Sequence, residues 1–126
     1  MKAMLRHRPD RIVVGEVRGG EAYDLLQALN TGHAGSLSTI HANCASQALA
    51  RLASCVMQSA VDVPYPAIRL QIADAIRCVV HLTRKNGRRL VEELVYVDGY
   101  EAGSDAYRLV QAASSLRTNQ EAACES

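Results

Sequence analysis

Asp10-Arg11-Ile12-Val13-Val14-Gly15-Glu16-Val17-Arg18-Gly19-Gly20 is a short apolar run that ends in a carboxylate, an arginine and two glycines. A buried strand that delivers charged groups to a crevice at its carboxyl end has this order. A strand that only packs has no need of Glu16 and Arg18 at its tip, and a surface turn has no need of Ile12, Val13 and Val14 before it. A strand is therefore expected over residues 12–15. Gly19-Gly20 then turns the chain into a helix over residues 21–30, where Ala22, Leu25, Leu26 and Leu29 recur at i, i+3, i+4 and i+7. Asn30-Thr31-Gly32 is its stop signal.

Working outward, residues 33–35 read as loop and residues 36–40 as a short strand. A further helix follows to about Gln58, with Asn43 or Ser46 as N-cap and Leu49, Leu52, Ala53, Val56 and Met57 stacked on one face as core. Pro64 and Pro66 make residues 61–66 a connector, and Ile68, Ile72 and Ile76 line up in a helix over residues 67–75. Residues 77–82 and 90–97 flank Asn86-Gly87, the strongest short-range hairpin signal. After an Asp98-Gly99 turn, residues 106–110 add a third antiparallel strand. Upstream, residues 1–8 read as the last turns of a helix that Pro9 ends. The Ala/Ser-rich tail, residues 112–126, is expected to fray. The expected fold class is α/β, finishing in antiparallel strands, with one domain over residues 1–111.

Composition fits that expectation. The chain has 126 residues, 48% of them hydrophobic and 21% charged, a globular balance for one domain. With no Trp or Phe, the core must rest on Leu, Ile, Val and Ala. A net charge of +1 provides no global field for nucleic acid or an anionic membrane. Arg84, Lys85, Arg88 and Arg89 do crowd one turn, where a solvated face is the plain reading and a basic lining around an anionic ligand the sharper one. Cys44, Cys55, Cys78 and Cys124 have no Cys-x-x-Cys spacing, so reduced thiols are expected rather than a disulfide framework. No run approaches the roughly 18 apolar residues of a membrane span.

Glu16 is the first chemical candidate, because a carboxylate at a strand tip can orient a water or a metal-bound water beside a phosphate. The alternative is a surface glutamate paired with Arg18. A second strand ends at His41, in Thr31-Gly32-His33-Ala34-Gly35-Ser36-Leu37-Ser38-Thr39-Ile40-His41-Ala42. If the two strands are parallel neighbours, His41 falls beside Glu16 and can donate to a terminal phosphate oxygen. A histidine tied to a backbone carbonyl is the bland alternative. His41-x-x-Cys44 has metal-ligand spacing, but only His33 is available nearby to join it. No Gly-x-Ser-x-Gly elbow is present.

The run from Arg8 to Ala22 and the run from Asn30 to Asn43 closely resemble the Walker B and histidine boxes of the secretion-system traffic ATPases, with the conjugal-transfer, type IV secretion branch nearest in pattern. Ala48-Leu49-Ala50-Arg51-Leu52 follows as that family's next helix does, and the resemblance covers about Leu5 to Val110. It implies the C-terminal half of a RecA-like P-loop core, within a hexameric ATPase serving secretion or conjugation machinery of the inner membrane. The implied location is cytoplasmic, or peripheral at that membrane through partners, with no direct nucleic-acid partner. ATP and Mg²⁺ are the implied cofactors. By resemblance Glu16 acts on Mg²⁺, through water because Gly15 stands where an aspartate is usual, and on the attacking water. His41 contacts the γ-phosphate, with His33, Gly32 and Thr39 shaping its surroundings, while Arg18 pairs with Glu16 or faces a neighbouring subunit.

That family's phosphate cradle, Gly-x-x-x-x-Gly-Lys-[Ser/Thr], has no counterpart: the only lysines are Lys2 and Lys85. The glycines from Gly15 to Gly20 run into Glu21, whose charge repels phosphate. A truncated gene or a fragment is therefore expected, binding ATP weakly alone and leaving the apolar edge of the first strand without its neighbour. The competing expectations are a non-catalytic module that assembles with secretion ATPase subunits, and a nucleic-acid module using residues 84–89, which has no aromatic platform beside it.

Overall fold

Polar side chains between the apolar runs set where the first sheet can pair. In the computed structural model, which describes residues 10–33 and 35–112, β1 (Val13–Val14) and β2 (Leu37–Ser38) form a parallel pair with Val13 opposite Leu37 and Val14 opposite Ser38. Both are shorter than the expected strands. Their ladder does continue, with Leu37 N–H donating to Ile12 O at 2.9 Å and Val17 N–H to Thr39 O at 2.9 Å. Between these bonds Ser36 Oγ accepts from Ile12 N–H at 2.8 Å, and Thr39 Oγ1 donates to Gly15 O. Hydroxyls that take backbone partners in this way displace ladder bonds and end regular pairing.

Helices α1 (Glu21–Asn30), α2 (Ala45–Met57) and α3 (Tyr65–Ala75) pack on one another, and α3 packs on the long strand over Arg88–Glu101. Ala22, Leu25 and Leu26 of α1 meet Leu49, Leu52 and Val56 of α2 and Ile68 and Ile72 of α3 in one core, with Val17 and Val97. The helices can close in because a side chain at Gly20 would meet the Ser59 Cα at 3.2 Å, so the start of α1 lies directly against the end of α2. Gly32, at φ +101°, takes the chain out of α1.

Two expectations are corrected in the second half. α3 begins at Tyr65, inside the expected connector, because Pro64 is its N-cap and Pro66 lies in the first turn, where a helix needs no N–H. β3 (Cys78–Lys85), β4 (Arg88–Glu101) and β5 (Ala106–Gln111) form the antiparallel meander, but Asp98-Gly99 is not its second turn. β4 runs through those two residues with a register shift between Val97 and Gly99, and the reversal falls at residues 102–105, where Asp105 takes φ +48°. Glycine in a strand absorbs such a bulge, so the signal marked an irregularity rather than an end. The expected hairpin holds: Lys85 pairs with Arg88 across Asn86 and Gly87, at φ +50° and +77°.

A tyrosine box sits where α3 meets β4 and β5. Arg69 is 5% exposed, and its guanidinium carbon lies 4.1 Å from the Tyr107 ring centre, 5.2 Å from Tyr100 and 5.6 Å from Tyr65. It donates to Asp105 O at 3.1 Å. Its Nε is 3.3 Å from Asp105 Oδ1, within ion-pair reach but not aligned as a hydrogen bond. The Tyr107 hydroxyl is buried with no hydrogen-bond partner among the described residues.

Cys55 and Cys78 are free, whereas Cys44 is disulfide-bonded, which corrects the expectation of reduced thiols throughout. Spacing along a chain cannot reveal a pair that only the fold brings together. No helix among the described residues is long and apolar enough to cross a membrane. The expected helix over residues 1–8 and residues 113–126 of the expected tail lie outside the described residues.

Candidate functional site

Because β1 and β2 are parallel and in register, their carboxyl ends open on the same side, and the side chains just beyond them meet. His41 Nε2 lies 3.1 Å from Glu16 Oε1, and Arg18 Nη2 donates to Glu16 Oε2 at 2.6 Å. The Glu16 side chain is 24% exposed, between His41 at 81% and Arg18 at 79%. Arg18 holds the Glu16 carboxyl below the usual carboxylate range, chiefly through that hydrogen bond, and His41 and Arg51 add to the effect. The result is an ionised carboxylate shared between a guanidinium and an imidazole, at the rim where α/β sheets bind ligands.

Gly15 and Thr39 fix this geometry from behind. Thr39 Oγ1 ties the backbone of the β2 arm to Gly15 O, one residue before Glu16. A Cβ at Gly15 would meet nothing within 4 Å, so open space adjoins the backbone beside the carboxylate. His33 is placed elsewhere: its Nδ1 is 3.0 Å from Ala28 O at the end of α1, and its own carbonyl accepts from Ser36 Oγ at 2.7 Å. Among the described residues no hydrogen bond or ion pair joins it to Glu16 or His41, so its influence on them passes through Ser36 and the β2 arm.

The glycine loop is already occupied by its own chain. Glu21 Oε1 accepts from the N–H groups of Arg18, at 2.7 Å, and Gly19, at 3.1 Å. These bonds, the one from Arg18 first, pull the Glu21 carboxyl below its usual range. The Arg18 and Gly19 N–H groups, turned to a carboxylate of their own chain, are not free for a phosphate.

α2 forms the next wall. Its N-cap is Cys44 rather than Asn43 or Ser46, without a side-chain cap bond; instead the Ala45 N–H donates to Glu93 Oε2 of β4 at 2.6 Å. An open hollow of about 350 Å³ lies along α2, lined by His41, Ala42, Asn43, Gln47, Arg51 and Ser54. Sequence reasoning missed Arg51 and Gln47 as members of this region. Gln47, Arg51 and Ser54 share one helix face at i, i+4 and i+7, a pattern visible in the sequence but passed over in favour of the apolar face.

The donor set fits Mg²⁺ in one way only. Among the described residues no group of three His, Cys, Asp or Glu side chains could hold a metal ion. Mg²⁺ is commonly held by one or two carboxylates together with waters and substrate phosphates. Glu16, ionised and part exposed, suits that outer role.

An α/β fold in which a carboxylate and a histidine meet beyond two parallel strands defines a class by its layout, with polar groups gathered at the strand ends. Comparison with known proteins narrows it. A family described as Type II/IV secretion system protein matches residues 1–126, and the chain belongs to that family. The chain is 41% identical over 100 residues to the conjugal transfer protein TrbB of Rhizobium radiobacter, covering 79% of this chain and 30% of that protein. It is 42% identical over 107 residues to the type IV secretion system protein PtlH of Bordetella pertussis, covering 81% and 32%. Among solved structures it is similar to the VirB11 ATPase of the Brucella suis type IV secretion system, in complex with sulphate, with a TM-score of 0.72 and 34% identity over 75% of this chain and 30% of that one. The chain thus spans about a third of the length of the curated relatives it matches.

Proposed function

We propose that this chain forms one wall of the ATP site in a hexameric ATPase of conjugal transfer or type IV secretion, acting in the cytoplasm or against the inner membrane through partner proteins. One observation carries the reading: Glu16 and His41 meet at 3.1 Å across a parallel strand pair, as a carboxylate and a phosphate-facing donor must. In this reading Glu16 holds Mg²⁺ through water and orients the attacking water, while His41 donates to the terminal phosphate. Gly15 and Thr39 set the approach of the two strands, Arg18 keeps Glu16 ionised, and His33 braces the β2 arm. Mg²⁺, when bound, supplies charge neutralisation for the phosphates. The opposite wall, with the phosphate cradle, belongs to a part of the relatives' length that this chain does not span, and the domain over residues 1–111 is correspondingly partial.

Two experiments test this. The purified chain alone should bind Mg·ATP more weakly than about 1 mM and should not turn it over. Micromolar binding with Mg²⁺-dependent hydrolysis refutes the one-wall reading. Substituted for the matching segment of the Rhizobium TrbB relative, the chain should give a chimaera that hydrolyses ATP. There, Glu16→Gln should lower turnover by at least about 100-fold, the scale of a positioned proton acceptor. Turnover unchanged by Glu16→Gln removes Glu16 from the chemistry.

A further inference from the structure

The antiparallel meander is apolar on both faces. Val79, Val97 and Leu109 turn to the core, and alternation along the strands sends their neighbours the other way. On that outer face Leu82 stands opposite Val91, and Tyr96 has Val110 directly across from it, with Val80 in line on β3. These five side chains are 44–60% exposed. The same face continues into the hairpin tip, where Arg84 is opposite Arg89. Like charges directly opposite destabilise a sheet, and neither arginine makes a hydrogen bond or ion pair among the described residues. On the other face of the tip Lys85 does have a carboxylate, its Nζ donating to Glu92 Oε1 at 2.8 Å.

A sheet face that meets only water carries polar side chains in alternation with the core ones. An exposed apolar strip that ends in two unpaired guanidinium groups marks a docking surface instead, and its charge selects the occupant. Three strands about 4.8 Å apart span roughly 10 Å, the width of one helix. Arginine forks are shaped for carboxylates, and a helix carries carboxylates most favourably in its first turn. We infer that the outer face of the meander docks an amphipathic helix of a partner protein, its apolar stripe along Leu82 and Tyr96 and its acidic first turn over Arg84 and Arg89. The cations lie at one end of the strip rather than around it, which fits a helix with a charged end better than a layer of lipid headgroups. Neither Glu16 nor His41 takes part, so the surface stands apart from the proposed function.

The probe is a fluorescein-labelled peptide of about 15 residues, with leucines at i, i+3, i+4 and i+7 and glutamates in its first turn. Fluorescence anisotropy with the full chain should show saturable binding tighter than about 100 μM. The same peptide with lysines for the glutamates should bind at least about tenfold more weakly. Arg84→Glu with Arg89→Glu should reverse that preference. Tyr96→Thr, which keeps a strand-forming residue, should weaken the acidic peptide at least about tenfold, the scale of a buried aromatic anchor. All these positions are exposed, so circular dichroism should show the variants folded. Arg84→Glu alone places opposite charges across the strands and should raise the urea midpoint while lowering peptide affinity, an opposition that a purely structural arginine pair does not produce. Equal binding of the two peptides, no saturable binding, or affinity unchanged by Tyr96→Thr overturns the inference. Vesicles of about 30% phosphatidylserine that capture the chain through Arg84 and Arg89, with no peptide binding, overturn it in favour of a membrane. Self-association that Tyr96→Thr abolishes, in sedimentation velocity, overturns it in favour of a second copy of this chain.

Discussion

Replacing Arg69 with alanine should remove more stability than any other single change at an arginine among the described residues. Its guanidinium stacks 4.1 Å from the Tyr107 ring, an interaction worth about 2 kcal/mol when desolvated. Its bond to Asp105 O, at 3.1 Å, adds roughly 1.5–3 kcal/mol as a charged hydrogen bond. The Asp105 carboxylate is 58% exposed, so the ion pair itself adds only about 0–1 kcal/mol. Desolvation of the guanidinium offsets part of this sum, and the emptied space between three rings adds a penalty. A net loss of about 3–4 kcal/mol follows, on the scale of other large-to-small core changes. With an m-value of roughly 1–3 kcal/mol per molar urea, the unfolding midpoint should fall by at least ~1 M. Arg69→Met fills most of the volume without a buried charge and should lose only about 1–2 kcal/mol. A midpoint shift under ~0.3 M for Arg69→Ala at unchanged m-value refutes the stacking account, and equal losses for Ala and Met refute the role of packed volume.

Glu93→Ala removes the side-chain oxygen that accepts from the Ala45 N–H and should destabilise the chain by about 1 kcal/mol, as loss of an N-cap does, read by urea denaturation. Glu16 has a folded pKa below the ordinary 4.5, so the stabilisation from its contacts is complete above pH 4.5 and is lost as pH falls through the lowered value. Arg18→Ala should return the Glu16 pKa upward, measured by ¹³C NMR of its side-chain carboxyl; no rise refutes the assignment of that shift to Arg18. Burial raises the Tyr107 pKa, so the stability it confers is full below about pH 10 and is lost as pH rises further. In an absorbance titration of the tyrosinates, Tyr107→Phe should delete the last to titrate. If that step persists, the partnerless buried hydroxyl is misplaced.

The chemistry of the first sheet was legible early because it is local. Ile12 to Glu16 and Thr39 to His41 each carry a strand and its polar tip within a few residues, so assuming parallel pairing was enough to bring Glu16 and His41 together. The Asn86-Gly87 hairpin was legible for the same reason. Asp98-Gly99 misled because a turn pair and a bulge pair use the same residues, and only the pairing partner, Arg108 opposite Gly99, distinguishes them. Arg51 was overlooked because one helix offered two faces, and the apolar one explained its fold.

The sequence by itself determined the order of helices and strands, the carboxylate and histidine at two strand ends, and the lack of a lysine-bearing phosphate loop. These depend on periodicity and on which residues adjoin one another in the chain. Only the tertiary structure decided that Glu21 takes the Arg18 and Gly19 N–H groups, that Glu93 caps a helix 48 residues away, and that three tyrosines enclose Arg69. A buried charge and an unfilled helix end are tolerated only when distant parts of the chain supply their partners, and no spacing along a sequence records that supply.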